Sequence, residues 1–597
     1  MGAMNNREKP MIVQSDMSVL LEVEHPLYED ARDALNRFAE LVKSPEHVHT
    51  YRITQLSIWN AAASGMSADE VISSLEAFSR YEIPQNVIAN IREWMSRYGR
   101  LKLLRHEEDE NLILLRSDDE VLLREITRSE KVRPFIERLI DRRTALVKAS
   151  ARGLLKKALT ELGFPAEDLV GYAEGERFRL RLLKKTRSGE HFELRKYQRE
   201  AVEAFYAGGS PRGGSGVIVL PCGAGKTIVG IAIMEKLQTN TLIITTSTVA
   251  SRQWKAELLD KTDVSEEDIG EYSGEKKEIK PITIATYQIL TYRPPKSEEY
   301  PHFSIFNERN WGLIIYDEVH LLPAPVFRIT AELQAKRRLG LTATLVREDG
   351  RETDVFSLIG PKKYDAPWKE LERQGWIAKA ICHEIRAEMS DEMRMKYALA
   401  PEKQKFRIAS AENERKYEIL RGIVRLHHAR GDKILVIGTY LEQLKRAAEI
   451  LAAEFKVEML TGKTPTKKRM RAYEAFKRGD LDVIVVSKVG NFAIDLPDAN
   501  VAIQISGTFG SRQEEAQRLG RILRPKKDGS PAFFYSIVSK DTKEQDLAAK
   551  RQLFLTEQGY KYIISDFDSA FKAAFEGGEN KDAWHHWRDE FPRKIAF

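Results

Sequence analysis

"VLPCGAGKT" (219–227) decides the reading of this chain. An apolar strand runs into a loop with two alternate glycines, then a Lys-Thr pair, then the helical stretch "TIVGIAIMEKL" (227–237). Gly223 and Gly225 let the backbone curl so that its N–H groups and the helix N-terminus face anionic oxygens. Lys226 would reach terminal phosphates, and Thr227 would hold Mg²⁺. With Ala224 between the glycines, these residues form a candidate nucleotide cradle. The strict phosphate-loop pattern puts a glycine where this chain has Leu220, so the loop is a shortened form. A second Gly-Lys-Thr, in "LTGKTP" (460–465), has no glycine two residues before Gly462 and reads as a chance match for nucleotide.

Downstream, "LIIYDEVH" (313–320) delivers two adjacent carboxylates at the end of an apolar strand. Asp317 would hold a metal ion and Glu318 would orient an attacking water. Adjacent acids at a strand end are often only solvated turn residues. Behind a phosphate cradle they indicate hydrolysis of a nucleoside triphosphate. In "EEAQRLGRILRP" (514–525), Arg521 and Arg524 share a helix face, the placement that charge neutralisation on a transferring phosphoryl requires, although a solvated basic face has the same spacing.

The cradle strand is one of a series of short β-branched runs separated by amphipathic stretches: "GVIVL" (216–220), "TLIITT" (241–246), "ITIATY" (282–287), "GLIIYDE" (312–318) and "RLGLTAT" (338–344). A second series follows: "KILVIGTY" (433–440), "DVIVVSK" (482–488), "VAIQIS" (501–506) and "AFFYSIVS" (532–539). Strands buried on both faces and joined by helices imply parallel sheets, so the fold class is α/β with two tandem sheet domains. Upstream, "LYEDARDALNRFAELVK" (27–43) has helical spacing, Ser67 and Glu70 have capping-box spacing, and "QNVIANIREWMSRYG" (85–99) reads as a helix ended by Gly99. A hairpin at 101–116 then suggests a winged-helix-like module, and 120–187 a second small α/β module.

At 597 residues the chain is long enough for several domains, and 95 Lys+Arg against 89 Asp+Glu leave a net charge of only +6, so any basic surface is local. Cys222 and Cys382 are too few for a disulfide framework or a four-thiolate zinc site. No membrane-length apolar run occurs, and "MGAMNNREKP" has no secretory core, which gives the expectation of a cytoplasmic protein.

The ordered set "RKYQ" (195–198), "GAGKT", "TYQIL" (286–290), "DEVH", "TAT" (342–344), "SKVGNFAIDLP" (487–497) and "QRLGRILR" (517–524) resembles superfamily 2 helicases. It is closer still to the XPB family in its bacterial and archaeal form. Arg347-Glu348-Asp349 looks like that family's "RED" motif, and "GSRQEEAQRLGRILRPK" (510–526) like its closing block. The resemblance implies two RecA-like domains that close on ATP and Mg²⁺ and move DNA, forked or at a single-strand/duplex junction. It implies that Gln198, with Arg195, reads adenine, that Asp495 approaches the ribose, and that Gln517, Arg521 and Arg524 complete the site. Thr342 and Thr344 would link hydrolysis to DNA. Arg252, Thr286, Thr461 and Lys488 would lie along the strand, and Arg347, Glu348 and Asp349 would act at the fork. Motif V has Gly490 and Ala493 where the general pattern puts glycine directly before Ile494-Asp495.

The expected domains are 1–118 helical and winged-helix-like, 119–187 damage-recognition-like, 188–365 and 366–566 RecA-like with a thumb-like insertion at about 384–413, and a tail at 567–597. The implied activity is 3′ to 5′ DNA unwinding in repair such as nucleotide excision repair. A duplex translocase and an ATP-switched scaffold recruiting a nuclease are the alternatives. No nuclease cluster is evident, so cutting would fall to a separate endonuclease partner. A monomer associated with the nucleoid is expected.

Overall fold

The computed structural model describes residues 9–45, 47–295, 299–334, 336–344, 351–366, 368–487, 499–507, 515, 518–520, 522–523, 529 and 531–566. Arg347, Glu348, Asp349, Lys488, Asp495, Gln517, Arg521, Arg524 and the tail from 567 lie outside them. The chain divides into two units, Met1–Glu370 and Leu371–Phe597.

The first unit is built on a seven-stranded parallel sheet. Its order is Ile269–Tyr272, Ile282–Thr286, Thr241–Thr245, Leu313–Asp317, Arg337–Thr342, Ser215–Val219 and Lys362–Asp365. The strands Ser215–Val219 and Thr241–Thr245 are buried at every position, because helices cover both faces of a parallel sheet. The carboxylate strand Leu313–Asp317 pairs with Arg337–Thr342, which pairs in turn with Ser215–Val219. The cradle, the acidic pair and Thr342 therefore leave the sheet at the same carboxyl edge, where ligands of open α/β sheets bind.

Ahead of this sheet lies a four-stranded antiparallel one, ordered Met11–Val13, Ser18–Glu22, Val48–Arg52, Glu40–Lys43. The helix expected over 27–43 stops at Leu35, because Glu40–Lys43 is recruited as an edge strand beside Val48–Arg52. The capping box forms as expected: the Ser67 hydroxyl accepts from the Glu70 N–H, and Glu70 Oε2 accepts from the Ser67 N–H at 2.7 Å. The hairpin Leu101–Arg105/Leu112–Ser117 is shared with the segment that follows. Leu112–Ser117 pairs with Thr144–Lys148 in a five-stranded sheet, so the boundary expected at 118 falls inside one layer.

That layer docks through the helix Arg152–Glu161. A Cβ on Gly153 would lie 2.2 Å from the Ala331 carbonyl oxygen, so only glycine permits the approach. Lys156 Nζ donates to Gln334 Oε1 at 3.0 Å, and Lys157 pairs with Asp354 at 2.9 Å.

The second unit repeats the design: Val457–Leu460, Val483–Val486, Ile434–Ile437, Val501–Gln504, Ala532–Ser539, Ala380–Ala387 and Tyr562–Asp566, all parallel. The expected insertion begins after Ala387 and not at 384, because residues 380–387 form a strand paired on both sides. It then consists of two helices, Asp391–Leu399 and Glu402–Ala411, the first of which buries no residue.

Candidate nucleotide site

The cradle adopts the geometry its sequence calls for. Gly223 and Gly225 sit at φ 82° and 83°, in the left-handed region where a side chain is strained, and the helix Lys226–Leu237 starts directly afterwards. Ala224 is buried, with its carbonyl oxygen turned inward. Two donors meet that oxygen, the Tyr197 hydroxyl at 2.6 Å and Gln198 Nε2 at 3.0 Å. Gln198 Oε1 in turn accepts from the Arg195 backbone N–H, and Arg195 Nη1 donates to the Tyr197 hydroxyl. The "RKYQ" segment thus braces the loop from behind. Sequence alone gives Tyr197 no role, because its contact spans 27 residues of chain.

Lys226 Nζ lies 3.0 Å from Glu318 Oε1 and 4.0 Å from Cys222 Sγ. Burial works against the ammonium charge, but Cys222, Glu318 and Asp317 outweigh it and hold the Lys226 pKa above its usual value. Burial, then the charge of Glu318, pushes Asp317 up to about 6, with Lys226 and Trp254 acting in the opposite direction. Glu318 itself has φ 50° and ψ 54°, a left-handed conformation rare for a non-glycine residue and often found at functional sites.

The Asp317 carboxylate is fixed on both oxygens. Oδ1 accepts from the Glu318 backbone N–H at 3.1 Å, and Oδ2 accepts from Trp254 Nε1 at 2.9 Å. Its backbone oxygen accepts from the Tyr287 hydroxyl at 3.0 Å. With the Thr227 hydroxyl on the first turn of the cradle helix, this donor set consists of hard oxygens. Two crowded carboxylates beside a phosphate cradle fit Mg²⁺, which is usually held by one or two carboxylates and the substrate's phosphates.

A hydrogen-bonded chain leaves the site. His320 Nδ1 is 2.6 Å from Thr342 Oγ1 and 3.5 Å from Glu318 Oε2. Thr342 Oγ1 donates to the Thr344 carbonyl at 2.5 Å and accepts from the Thr344 N–H at 3.1 Å. The hydroxyl proton is therefore committed, and the network places a proton on His320 Nδ1. Thr342 and Thr344 are 0% and 1% exposed, so they brace the strand end and present no surface for direct contact.

Among the other expected residues, Thr286 is buried and caps the short helix Tyr287–Leu290, and Arg252 is exposed on the helix Thr248–Lys261. Thr461 is half-buried in the second unit, with its carbonyl accepting from Arg469 Nη2 at 3.2 Å. Trp254, Tyr287 and His320 escape a reading of the sequence. The first is an apolar-face tryptophan, and only the fold reveals its polar atom beside Asp317.

Three family models match the chain. They are the ERCC3/RAD25/XPB C-terminal helicase over residues 371–579, the helicase conserved C-terminal domain over 11–141, and the type III restriction enzyme res subunit over 191–347. A Mycobacterium tuberculosis protein named DNA 3′-5′ helicase XPB is 53% identical over 559 residues, covering 94% of this chain and 98% of that one. The general transcription and DNA repair factor IIH helicase/translocase subunit XPB of Enterocytozoon bieneusi is 34% identical, covering 94% and 93%. The Pyrococcus furiosus Hef helicase domain aligns at 16% identity over 56% of this chain and 94% of its own, with a TM-score of 0.38, too low to carry weight. With alignments to XPB proteins that span nearly the whole chain, one of them at 53% identity, and a cradle, an acidic pair and a threonine strand end meeting at one sheet edge, the chain belongs to the XPB family of helicases.

Proposed function

We propose that this chain is an ATP-dependent DNA helicase that unwinds with 3′ to 5′ polarity in DNA repair. The observation that carries the proposal is the convergence of Lys226, Asp317 and Glu318 behind a glycine cradle, in a chain half identical to a protein named as such a helicase. Lys226 pairs with Glu318 at 3.0 Å. A terminal phosphate entering the cradle would draw the lysine to itself and free Glu318 to orient the attacking water. Mg²⁺, held by Asp317 and Thr227, would supply charge neutralisation on the phosphates. Gln198 and Arg195 would read the base, Asp495 would meet the ribose, and Gln517, Arg521 and Arg524 would complete hydrolysis.

DNA contact falls to Arg252, Thr461 and Lys488, with Thr286, Thr342 and Thr344 acting beneath the surface. Contacts of this kind are dominated by phosphate and are salt-sensitive and sequence-blind. Arg347, Glu348 and Asp349 are assigned to strand separation. The domain limits at 187 and 365 and the insertion's thumb-like role belong to the same proposal. The chain works as a monomer at the nucleoid, with an endonuclease as separate partner. Among the described residues, no helix is long and apolar enough to cross a membrane.

A duplex translocase that opens DNA only locally is the second reading, favoured by the "helicase/translocase" in the eukaryotic relatives' names. Strand displacement on duplexes with a 3′ or a 5′ tail separates the two. The helicase predicts displacement from the 3′ tail alone. Hydrolysis that DNA stimulates, without displacement from either tail, would leave the translocase.

A further inference from the structure

Two elements expected to carry DNA contacts reach the same residue from different sides. The helix Thr248–Lys261 presents Arg252 to solvent and, two residues on and so on its opposite face, buries Trp254. The indole N–H donates to Asp317 Oδ2 at 2.9 Å. The other end of the ring lies against the cradle helix, where a Cβ on Gly230 would stand 2.5 Å from Trp254 Cη2. One rigid side chain thus spans from the cradle helix to the candidate metal-holding carboxylate. The second element starts at Thr286, whose hydroxyl caps Tyr287–Leu290. The Tyr287 hydroxyl donates to the Asp317 backbone oxygen at 3.0 Å.

We propose that Trp254 and Tyr287 are positioning residues: Trp254 fixes the plane of the Asp317 carboxylate and passes to it movements of the helix that exposes Arg252, and Tyr287 fixes the strand end that carries it from the buried helix start at Thr286. Among the described residues, the carboxylate's other donor is the Glu318 backbone N–H, on Oδ1. Removing the indole N–H frees Oδ2 to rotate about that contact. A shift of the helix bearing Arg252 moves the indole as a body, because Gly230 leaves it no slack on the far side. Tyr287 acts on the backbone instead, setting the height of the strand end from which Asp317 and Glu318 emerge. DNA engagement at the exposed Arg252 then changes how well Asp317 meets the metal. The DNA half of this inference rests on the proposed function; the metal half does not.

The test uses the full chain with Trp254→Phe and Tyr287→Phe. Tyr287→Phe deletes a single oxygen and keeps the ring, whereas Trp254→Phe removes the indole N–H together with part of the ring that packs on Gly230, so the Tyr287 variant is the one free of a packing change. Binding of a fluorescent ATP analogue is titrated with and without Mg²⁺. Anisotropy measures the affinity for a single-stranded oligonucleotide, and hydrolysis is followed with and without it. Trp254→Phe should bind the analogue without Mg²⁺ as the parent does, while the tightening produced by Mg²⁺ falls about tenfold, the worth of one hydrogen bond to a charged group. Oligonucleotide affinity should hold within a factor of about two, and its stimulation of hydrolysis should fall. Tyr287→Phe should show the same pattern more weakly. A Mg²⁺ effect equal to the parent's in both variants would overturn the proposal and leave the two rings as packing. That comparison involves no DNA, so its failure counts against the positioning role alone. A parent chain that neither binds nor responds to the oligonucleotide counts against the motor function instead.

Discussion

Replacing Gly225 by alanine should disable the cradle while leaving the fold in place. The residue sits at φ 83° and ψ 44°, where an L side chain costs about 1–2 kcal/mol. Its new Cβ would lie 2.6 Å from Gln198 Nε2, so the amide must withdraw from the Ala224 carbonyl it now meets at 3.0 Å. Loss of that bond adds about 1 kcal/mol. The two together come to roughly 2–3 kcal/mol, a factor of about 30 to 150 at 1.36 kcal/mol per decade. Because the loop relaxes by leaving its phosphate-binding form, the cost should appear in nucleotide affinity, with a shift of only a few degrees in unfolding temperature. Equilibrium binding of a fluorescent ATP analogue measures it. The contact predicts coupling as well: Gly225→Ala and Gln198→Ala together should cost about 1 kcal/mol less than the sum of the single changes, since both break the same bond. Affinity within threefold of the parent, or strict additivity, would refute the bracing of the loop by Gln198.

Three further outcomes follow from buried contacts. His383, stacked on Tyr535 with ring centres 4.9 Å apart, is lowered to about 3 from 6.5, first by burial and then by His427. Between those values the unfolded chain binds a proton that the folded chain refuses, so stability should fall as pH drops below 6.5, by roughly 4 kcal/mol at the lower end; His383→Phe should flatten that decline in acid-unfolding curves. Gly153→Ala should lower the unfolding temperature of the first unit despite alanine's better helix propensity, because its Cβ would meet the Ala331 backbone at 2.2 Å, an overpacking cost of about 1–3 kcal/mol. A bulky maleimide should label half-exposed Cys222 before buried Cys382, block nucleotide binding through its place 4.0 Å from Lys226 Nζ, and be slowed by ATP; mass spectrometry reads the order and the slowing, and a fluorescent ATP analogue the block.

The parts of the site legible in the sequence are those packed into short contiguous runs. "GAGKT" carries its own backbone requirement, and "LIIYDE" its burial pattern, so the amino-acid order alone places the cradle, the acidic pair and five strands of the first sheet. Edge strands escape. Lys362–Asp365 reads "KKYD", with every residue only half-buried, and no apolar run marks a strand covered on one side. The helix expected over 27–43 is cut short because pairing of Glu40–Lys43 with Val48–Arg52 outweighs local helical propensity. The residues that hold the site in register are invisible because their partners are far away in the chain. Trp254 meets Asp317 across 63 residues and Tyr287 meets it across 30, and nothing in a tryptophan's neighbours tells which carboxylate its N–H will find. The family resemblance points Thr286, Thr342 and Thr344 toward DNA, yet their burial gives them a bracing role that spacing alone does not reveal.

The most direct test of the central claim is ATP hydrolysis with and without forked DNA, by the parent chain and by Glu318→Gln. The substitution keeps the side chain's shape and removes the charge that faces Lys226 at 3.0 Å. The account predicts DNA-stimulated hydrolysis in the parent. In the variant it predicts a loss of about a hundredfold or more, with nucleotide binding retained because Lys226 is freed for the phosphates. Hydrolysis by Glu318→Gln at the parent's rate, or a parent rate indifferent to DNA, would contradict it.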